Sequence, residues 1–237
     1  RRFGGVVAVH QVNLVVAPGE RRAIIGPNGA GKTTFFNLVA GRLSPTEGRI
    51  IYRGQDITGL PPHRRARLGM GRTFQRTNLF PSLSVRENIR LGVLAQTEHA
   101  PNFITPVEHF PEIEARVDEL LERFSLGERA NTEVHELSYG EQRQLEIAVA
   151  VVGDPALLLL DEPTAGMSPA ETSSITGIIE SLPREVTLLV IEHDMDVVFT
   201  LADRITVLHH GEVIADGTPP EVRDDPKVIE VYFGGAG

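Results

Sequence analysis

The run Gly26-Pro-Asn-Gly-Ala-Gly-Lys-Thr-Thr34 has the spacing G-x-x-x-x-G-K-[ST] and follows a short apolar stretch, Arg22 to Gly26. Glycines at these positions let the backbone N–H groups around Asn28, Gly29, Ala30 and Gly31 close round phosphate oxygens. Lys32 is placed to reach the β- and γ-phosphates. The Thr33 hydroxyl suits Mg²⁺, and a helix beginning at Lys32 and Thr34 adds a field that favours an anion. The plain alternative is a glycine-rich turn; the strand–loop–helix context argues against it. A second pair of groups follows Leu157-Leu-Leu-Leu160, where Asp161 and Glu162 end an apolar strand. Carboxylates at the C-terminal edge of a sheet sit where α/β ligands bind. Asp161 suits Mg²⁺, directly or through water, and Glu162 suits polarising an attacking water. Two solvated acids would be the structural alternative, weakened by the phosphate loop in the same chain. A third group is His193, in Ile191-Glu-His-Asp194, which strand topology places near the two carboxylates and a γ-phosphate.

Three further stretches are informative. Leu137-Ser-Tyr-Gly-Glu-Gln142 starts a helix, with Ser138 and Glu141 spaced as a capping box, and its bared N–H donors suit an anion. Gln75, after Arg72-Thr-Phe74, stands where an α/β core gives way to helical sequence. His209 and His210 are adjacent, so in a strand they point to opposite faces, and no metal site is expected there.

These groups need elements to hold them. Val6 to Val16 reads as strands, as do Arg22 to Gly26 and Arg49 to Tyr52. Lys32 to Ala40 reads as a helix closed by Gly41. From about Phe80 to Leu126 the signal is helical. Ser84 and Glu87 form a capping box, and Ile113, Val117, Leu120, Leu121 and Phe124 make one apolar stripe. Ala100 to Pro111 reads as loop. Ala156 to Leu160 and Val186 to Ile191 are continuous apolar runs, the pattern of parallel strands buried on both faces. Helices Pro169–Leu182 and Met195–Leu201 follow them. The alternation predicts an α/β core, residues 1–79 and 146–237, with a helical subdomain at about 80–145.

The bulk numbers narrow the class. The 237 residues carry 23 Lys+Arg against 32 Asp+Glu, a formal net charge of -9, which disfavours a nucleic-acid partner. There is no cysteine, so a disulfide framework, a thiolate metal site and a thiol nucleophile are excluded. No apolar run approaches the ~20 residues that span a bilayer. No signal peptide is visible, and the chain begins at Arg1 without a Met.

Taken in order along nearly the whole chain, these motifs resemble the ATP-binding-cassette family of ATPases. Gly26–Thr34 is similar to its Walker A loop and Gln75 to its Q-loop. Leu137–Gln142 is similar to its signature motif, Leu157–Glu162 to Walker B, Met167–Glu171 to its D-loop and His193 to its switch histidine. Phe3 stands where the family has an aromatic that stacks on adenine. The resemblance implies a P-loop NTPase cassette, with a RecA-like mixed sheet core, an antiparallel β subdomain and the helical insert. It also implies ATP and Mg²⁺ as cofactors, Gln75 joining Thr33 and Asp161 at the metal, and Glu162, His193 and Gln75 as catalytic groups. In this family two cassettes face head to tail, so Ser138, Gly140 and Gln142 are expected to serve a partner's ATP.

The signature reads Ser-Tyr-Gly-Glu-Gln where Ser-Gly-Gly-Gln-Gln or similar is usual. The D-loop reads Gly-Met-Ser-Pro-Ala-Glu where Ser-Ala-Leu-Asp is usual. Both departures resemble one subgroup, the cassettes of importers for branched-chain amino acids and, closely related, urea or short amides. Phe3-Gly-Gly-Val, Asp216-Gly-Thr-Pro and the tail Val231-Tyr-Phe-Gly are similar to it as well. The implied function is the ATP-hydrolysing motor of a membrane importer, peripheral on the cytoplasmic face. Its expected partners are a second cassette, a separate transmembrane permease and, indirectly, a substrate-binding protein. No regulatory domain is expected beyond the cassette. The competing readings are a cytosolic cassette ATPase acting on ribosomes or DNA, which would carry two cassettes or a long insert, and a non-hydrolysing scaffold, which would lack a catalytic residue.

Overall fold

The computed structural model describes residues 1–73, 79–96 and 110–233. The chain opens with a small antiparallel hairpin, β1 (Arg2–Phe3) and β2 (Val6–Val7). Then come β3 (Arg21–Ile25), α1 (Lys32–Val39) and a second hairpin, β4 (Ile51–Tyr52) with β5 (Gln55–Asp56). α2 (Pro62–Arg67) and β6 (Met70–Arg72) lead to α3 (Val85–Gln96) and α4 (Pro111–Arg123). Two 3-10 turns, Gly127–Arg129 and Val134–Glu136, precede α5 (Tyr139–Ala150). The remainder alternates: β7 (Leu157–Asp161), α6 (Pro169–Glu180), β8 (Thr187–Ile191), α7 (Met195–Leu201), β9 (Arg204–His209), β10 (Glu212–Gly217), α8 (Pro219–Arg223) and α9 (Pro226–Phe233).

Among the described residues, six strands form one sheet in the order β10-β9-β3-β8-β7-β6. All pairs are parallel except β10 on β9. β3 and β8 are buried along their whole length, as strands covered on both faces must be. β3 begins with two buried arginines, which pleat alternation sends to opposite faces. Arg21 donates to the Glu180 and Leu182 carbonyls at the end of α6, at 3.2 and 2.7 Å. Arg22 donates to Glu20, Thr206 and Asp216. On one face, the stripes of α3, α4, α5 and α6 share a continuous apolar core with Leu158, Leu160, Leu188 and Val190. On the other, Phe36 of α1 packs on Ile24, Leu159, Leu189 and Ile191. The parallel topology brings the ends of β3, β6, β7 and β8 to one edge, and the chemistry-bearing residues with them.

The α4 stripe is fully buried, and the Ser84–Glu87 cap forms as expected, with the Ser84 N–H donating to Glu87 at 2.7 Å. Other expectations are corrected. Between Val6 and Val16 only Val6–Val7 is strand. The backbone N–H groups of Ala8 and His10 go to the Arg1 and Gly211 carbonyls, and Gln11 takes φ 47, which breaks any ladder. Val12, Leu14 and Val16 still pack against the core beneath α1. Arg49 and Ile50 are not strand, and Gly26, at φ 148, belongs to the phosphate loop rather than to β3. Helix α6 stops at Glu180, two residues short of Leu182. Pro111 is not loop: it opens α4, where its missing N–H is one the first turn would leave unpaired anyway. The rest of the Ala100–Pro111 stretch, apart from Phe110, lies outside the described residues.

Candidate nucleotide site

The loop from Gly26 to Gly31 joins β3 to α1 and is threaded through tight backbone. A Cβ on Gly31, at φ +100, would lie 2.2 Å from the Ala8 carbonyl oxygen. No side chain caps α1, whose N-cap is Gly31, so its first N–H groups are left for a ligand. Lys32 is buried. Its Nζ donates to the Gly26 and Pro27 carbonyls at 2.6 and 3.1 Å, curling over the loop. Burial lowers its pKa, while the charges of Glu162 and Asp161 push the other way. Thr33 is exposed and Thr34 half-buried on the same turn.

Asp161 ends β7 at 1% exposure. Arg72, at the end of β6, donates to its Oδ2 at 3.3 Å and to Asn37 Oδ1 on α1 at 3.1 Å. Asp161 Oδ1 is buried and accepts no hydrogen bond from the described residues. Burial pushes this carboxyl above the usual range, against the pull of Arg72. A hydroxyl on α1 and an under-coordinated buried carboxylate are a donor set that fits a hard, oxygen-liganded cation such as Mg²⁺. Glu162 adopts φ 49, the left-handed region, outside the strand register. Its Oε1 is 2.9 Å from His193 Nε2. Glu192, buried, accepts at one oxygen from the Thr164 N–H and hydroxyl, at 2.9 and 2.6 Å, and at the other from the His193 N–H at 2.9 Å. It thereby ties the turn after β7 to the turn after β8.

Ser138 caps α5: its Oγ accepts from the Glu141 N–H at 3.2 Å, and its own N–H donates to Glu141 at 2.8 Å. Gln142 donates to the Leu137 carbonyl at 3.1 Å. Gly140 is buried against Glu171 of α6, whose Oε1 would lie 3.1 Å from an added Cβ. Glu171 is held below the usual carboxylate range by hydrogen bonds from Ser168 and, to a lesser degree, from the Gly140 backbone. Among the described residues, no hydrogen bond or ion pair links Ser138, Gly140 or Gln142 to the phosphate loop, Asp161, Glu162 or His193. Phe3 sits on β1, 43% exposed, with the Arg1 guanidinium 4.6 Å from its ring centre. The His209 and His210 rings lie 4.0 Å apart, tilted at 45°. Gln75 lies outside the described residues.

So the structure gathers Lys32, Asp161, Glu162 and His193, and leaves the α5 N-terminus apart from them. It also adds groups that motif reading passed over: Arg72, Glu192 and Arg143 of α5. The signal for Arg143 was available. Arg143 and Glu146 are charges spaced i, i+3 in a helix whose neighbours Leu145, Ile147 and Ala148 are wholly apolar, and both are buried.

A phosphate loop feeding a parallel sheet, with carboxylates and a histidine at the neighbouring strand ends, defines a P-loop nucleotide-binding domain. The comparisons agree. The family model described as ABC transporter matches residues 9–165, and that described as branched-chain amino acid ATP-binding cassette transporter matches 212–237. The high-affinity branched-chain amino acid transport ATP-binding protein BraF of Pseudomonas aeruginosa is 44% identical, over 99% of this chain and 95% of its own length. A nucleotide-free ATP-binding cassette from an ABC transporter superposes with a TM-score of 0.84 at 32% identity, covering 99% and 96% of the two chains. A dimeric cassette bound to ADP and Pi, in a post-hydrolysis state, gives 0.78 at 27% identity, covering 92% and 94%. The chain belongs to the ABC transporter family; it is an ATP-binding cassette, an ATPase of that family.

Proposed function

We propose that this cassette is the ATP-hydrolysing motor of a membrane importer for branched-chain amino acids. The observation that carries the chemistry is the gathering of Lys32, Asp161, Glu162 and His193 at one sheet edge. In this reading the α1 N-terminus and Lys32 bind the β- and γ-phosphates. Thr33 and Asp161 hold Mg²⁺, with Gln75 as a further ligand; when bound, the ion offsets the phosphate charge. Glu162, beside His193, takes the proton of the attacking water, and His193 steadies the γ-phosphate. Phe3 stacks on the adenine.

The α5 N-terminus, capped by Ser138 and Glu141 and unbonded to its own phosphate loop among the described residues, supports a composite site. Ser138, Gly140 and Gln142 engage the ATP of a second cassette paired head to tail. The relatives named for branched-chain amino acid transport, and the family match over residues 212–237, support the cargo class. No helix among the described residues is long and apolar enough to cross a membrane. In this reading the pore belongs to separate permease subunits. The cassette then sits peripherally on the cytoplasmic face, and a substrate-binding protein delivers the cargo. The helical subdomain, residues 80–145, passes cassette closure to the permease. Replacing Glu162 with Gln tests the chemistry: ATP affinity is expected to hold while turnover falls by several orders of magnitude. Near-normal turnover would remove Glu162 from its role. Purifying the tagged chain from native membranes tests the assembly, the expected companions being a polytopic permease and a second cassette.

A further inference from the structure

The turn that follows β7 presents a backbone problem. Asp161 is the last residue of β7 to pair with β8, opposite Ile191. The Glu162 N–H still reaches the Ile191 carbonyl at 2.9 Å. Beyond this point Glu162 turns left-handed, and Pro163 carries no N–H. The carbonyls of Asp161, Glu162 and Pro163 thus point into the protein without a strand to receive them, and buried carbonyls need donors.

One side chain supplies them. Arg143, 6% exposed on α5, donates through Nη2 to the Glu162 carbonyl at 2.6 Å and the Asp161 carbonyl at 3.2 Å. Its Nε donates to the Pro163 carbonyl at 3.0 Å. Its Nη1 donates to Glu146, one turn further along the same helix, at 2.7 Å. The planar fork of a guanidinium spreads five donors over a fixed plane and so spans separated acceptors; the three donors of an ammonium radiate from one nitrogen. Burial raises the Glu146 pKa, and Arg143 opposes that shift.

We propose that Arg143 is a positioning residue for Glu162. By gripping three consecutive carbonyls, it fixes the left-handed turn that aims the Glu162 carboxylate. It also makes the helix bearing Ser138 and Gly140 one rigid body with the base of its own site. A shift of α5 on meeting a partner's nucleotide is thereby delivered to Glu162. This inference rests on the hydrolytic role of Glu162 given above.

The test is a double-mutant cycle on the full chain with MgATP as the probe, read as single-turnover hydrolysis, ATP Kd and thermal midpoint. Arg143→Gln is expected to lower kcat by roughly tenfold to a hundredfold, the loss typical of a catalytic group displaced by about 1 Å. ATP Kd is expected to stay within about twofold, because the carbonyls and carboxylate that Arg143 holds belong to the turn after β7 and to α5, not to the phosphate loop. Placed on Glu162→Gln, it is expected to produce almost no further loss, since the route through Glu162 is already cut. Arg143→Lys, which keeps the charge without the fork, gives a smaller loss of the same kind and serves if Arg143→Gln does not fold. Equal losses in the wild-type and Glu162→Gln backgrounds would overturn the proposal. So would weakened ATP binding, or turnover left unchanged. A wild-type chain that does not hydrolyse ATP, or a Glu162→Gln chain that hydrolyses it normally, would instead overturn the underlying role of Glu162.

Discussion

Gly29 and Gly31 sit two residues apart in the phosphate loop and separate two reasons for glycine. Both have positive φ, +80 and +100, so alanine at either position costs about 1–2 kcal/mol from handedness alone. A methyl on Gly29 meets nothing within 4 Å. One on Gly31 lies 2.2 Å from the Ala8 carbonyl oxygen, more than an ångström short of ordinary contact, with Gly211 Cα 3.5 Å away. Relieving that overlap means moving the loop off the N-terminal segment. Two backbone hydrogen bonds are then strained, Gly211 N–H to Ala30 at 3.0 Å and His10 N–H to Gly211 at 2.7 Å. At ~0.5–1.5 kcal/mol each, they put the extra cost of Gly31→Ala over Gly29→Ala near 2 kcal/mol. For a chain of this size that is a gap of roughly 4–8 °C in melting temperature. Thermal unfolding of the two nucleotide-free variants in one buffer, followed by circular dichroism, measures it. Midpoints that coincide within about a degree would refute the clash argument and leave handedness as the only constraint.

Three further outcomes are expected. Phe3→Ala should weaken ATP binding by about 1–3 kcal/mol, the worth of one base stack, with kcat little changed; equilibrium binding of a fluorescent ATP analogue checks it. Ser138→Arg should leave ATP binding intact and abolish turnover, because it places bulk and charge where a partner's phosphate must dock; turnover that survives would make α5 an ordinary capped helix. Glu114 on α4 is held below its ordinary value near 4.5 chiefly by its hydrogen bond from Arg90 on α3, with Arg86 assisting. Its contribution is therefore present above that value and lost as pH falls through the folded pKa. Wild type should be more stable than Glu114→Gln by about 0.5–1 kcal/mol at neutral pH, and denaturant titrations should show the gap closing as pH falls below the ordinary glutamate value.

What the sequence disclosed follows from how each residue earns its place. The runs Ala156 to Leu160 and Val186 to Ile191 were legible, though each strand starts one residue later, because a strand buried on both faces has no polar alternation, and the groups at its end are its chemistry. The α4 stripe was legible for the corresponding reason at helical period. Val6 to Val16 misled because β-branched residues also serve a packed, unpaired segment: Val12, Leu14 and Val16 bury side chains with no ladder, and Val15 stays 85% exposed. The spacing of Arg143 and Glu146 signalled a buried pair, but the partners of Arg143 and of Glu192 were invisible to motif reading because neither role belongs to a local pattern. Arg143 serves carbonyls 18 to 20 residues away, and Glu192 serves Thr164, 28 residues away. Long-range satisfaction of buried backbone and hydroxyl groups leaves no periodic trace.

The split between α1 and α5 has a genetic consequence. Lys32 opens α1 and Ser138 caps α5, and among the described residues nothing bonds the two together. Where two copies of this chain pair head to tail, each site takes its lysine from one copy and its serine from the other. A chain dead at Lys32 and a chain dead at Ser138 are each inert with their own kind. Mixed together, they form a dimer in which both lesions fall on one site and the other is wild type throughout. Two null alleles would then complement each other, whereas two different lesions on the Lys32 side would not.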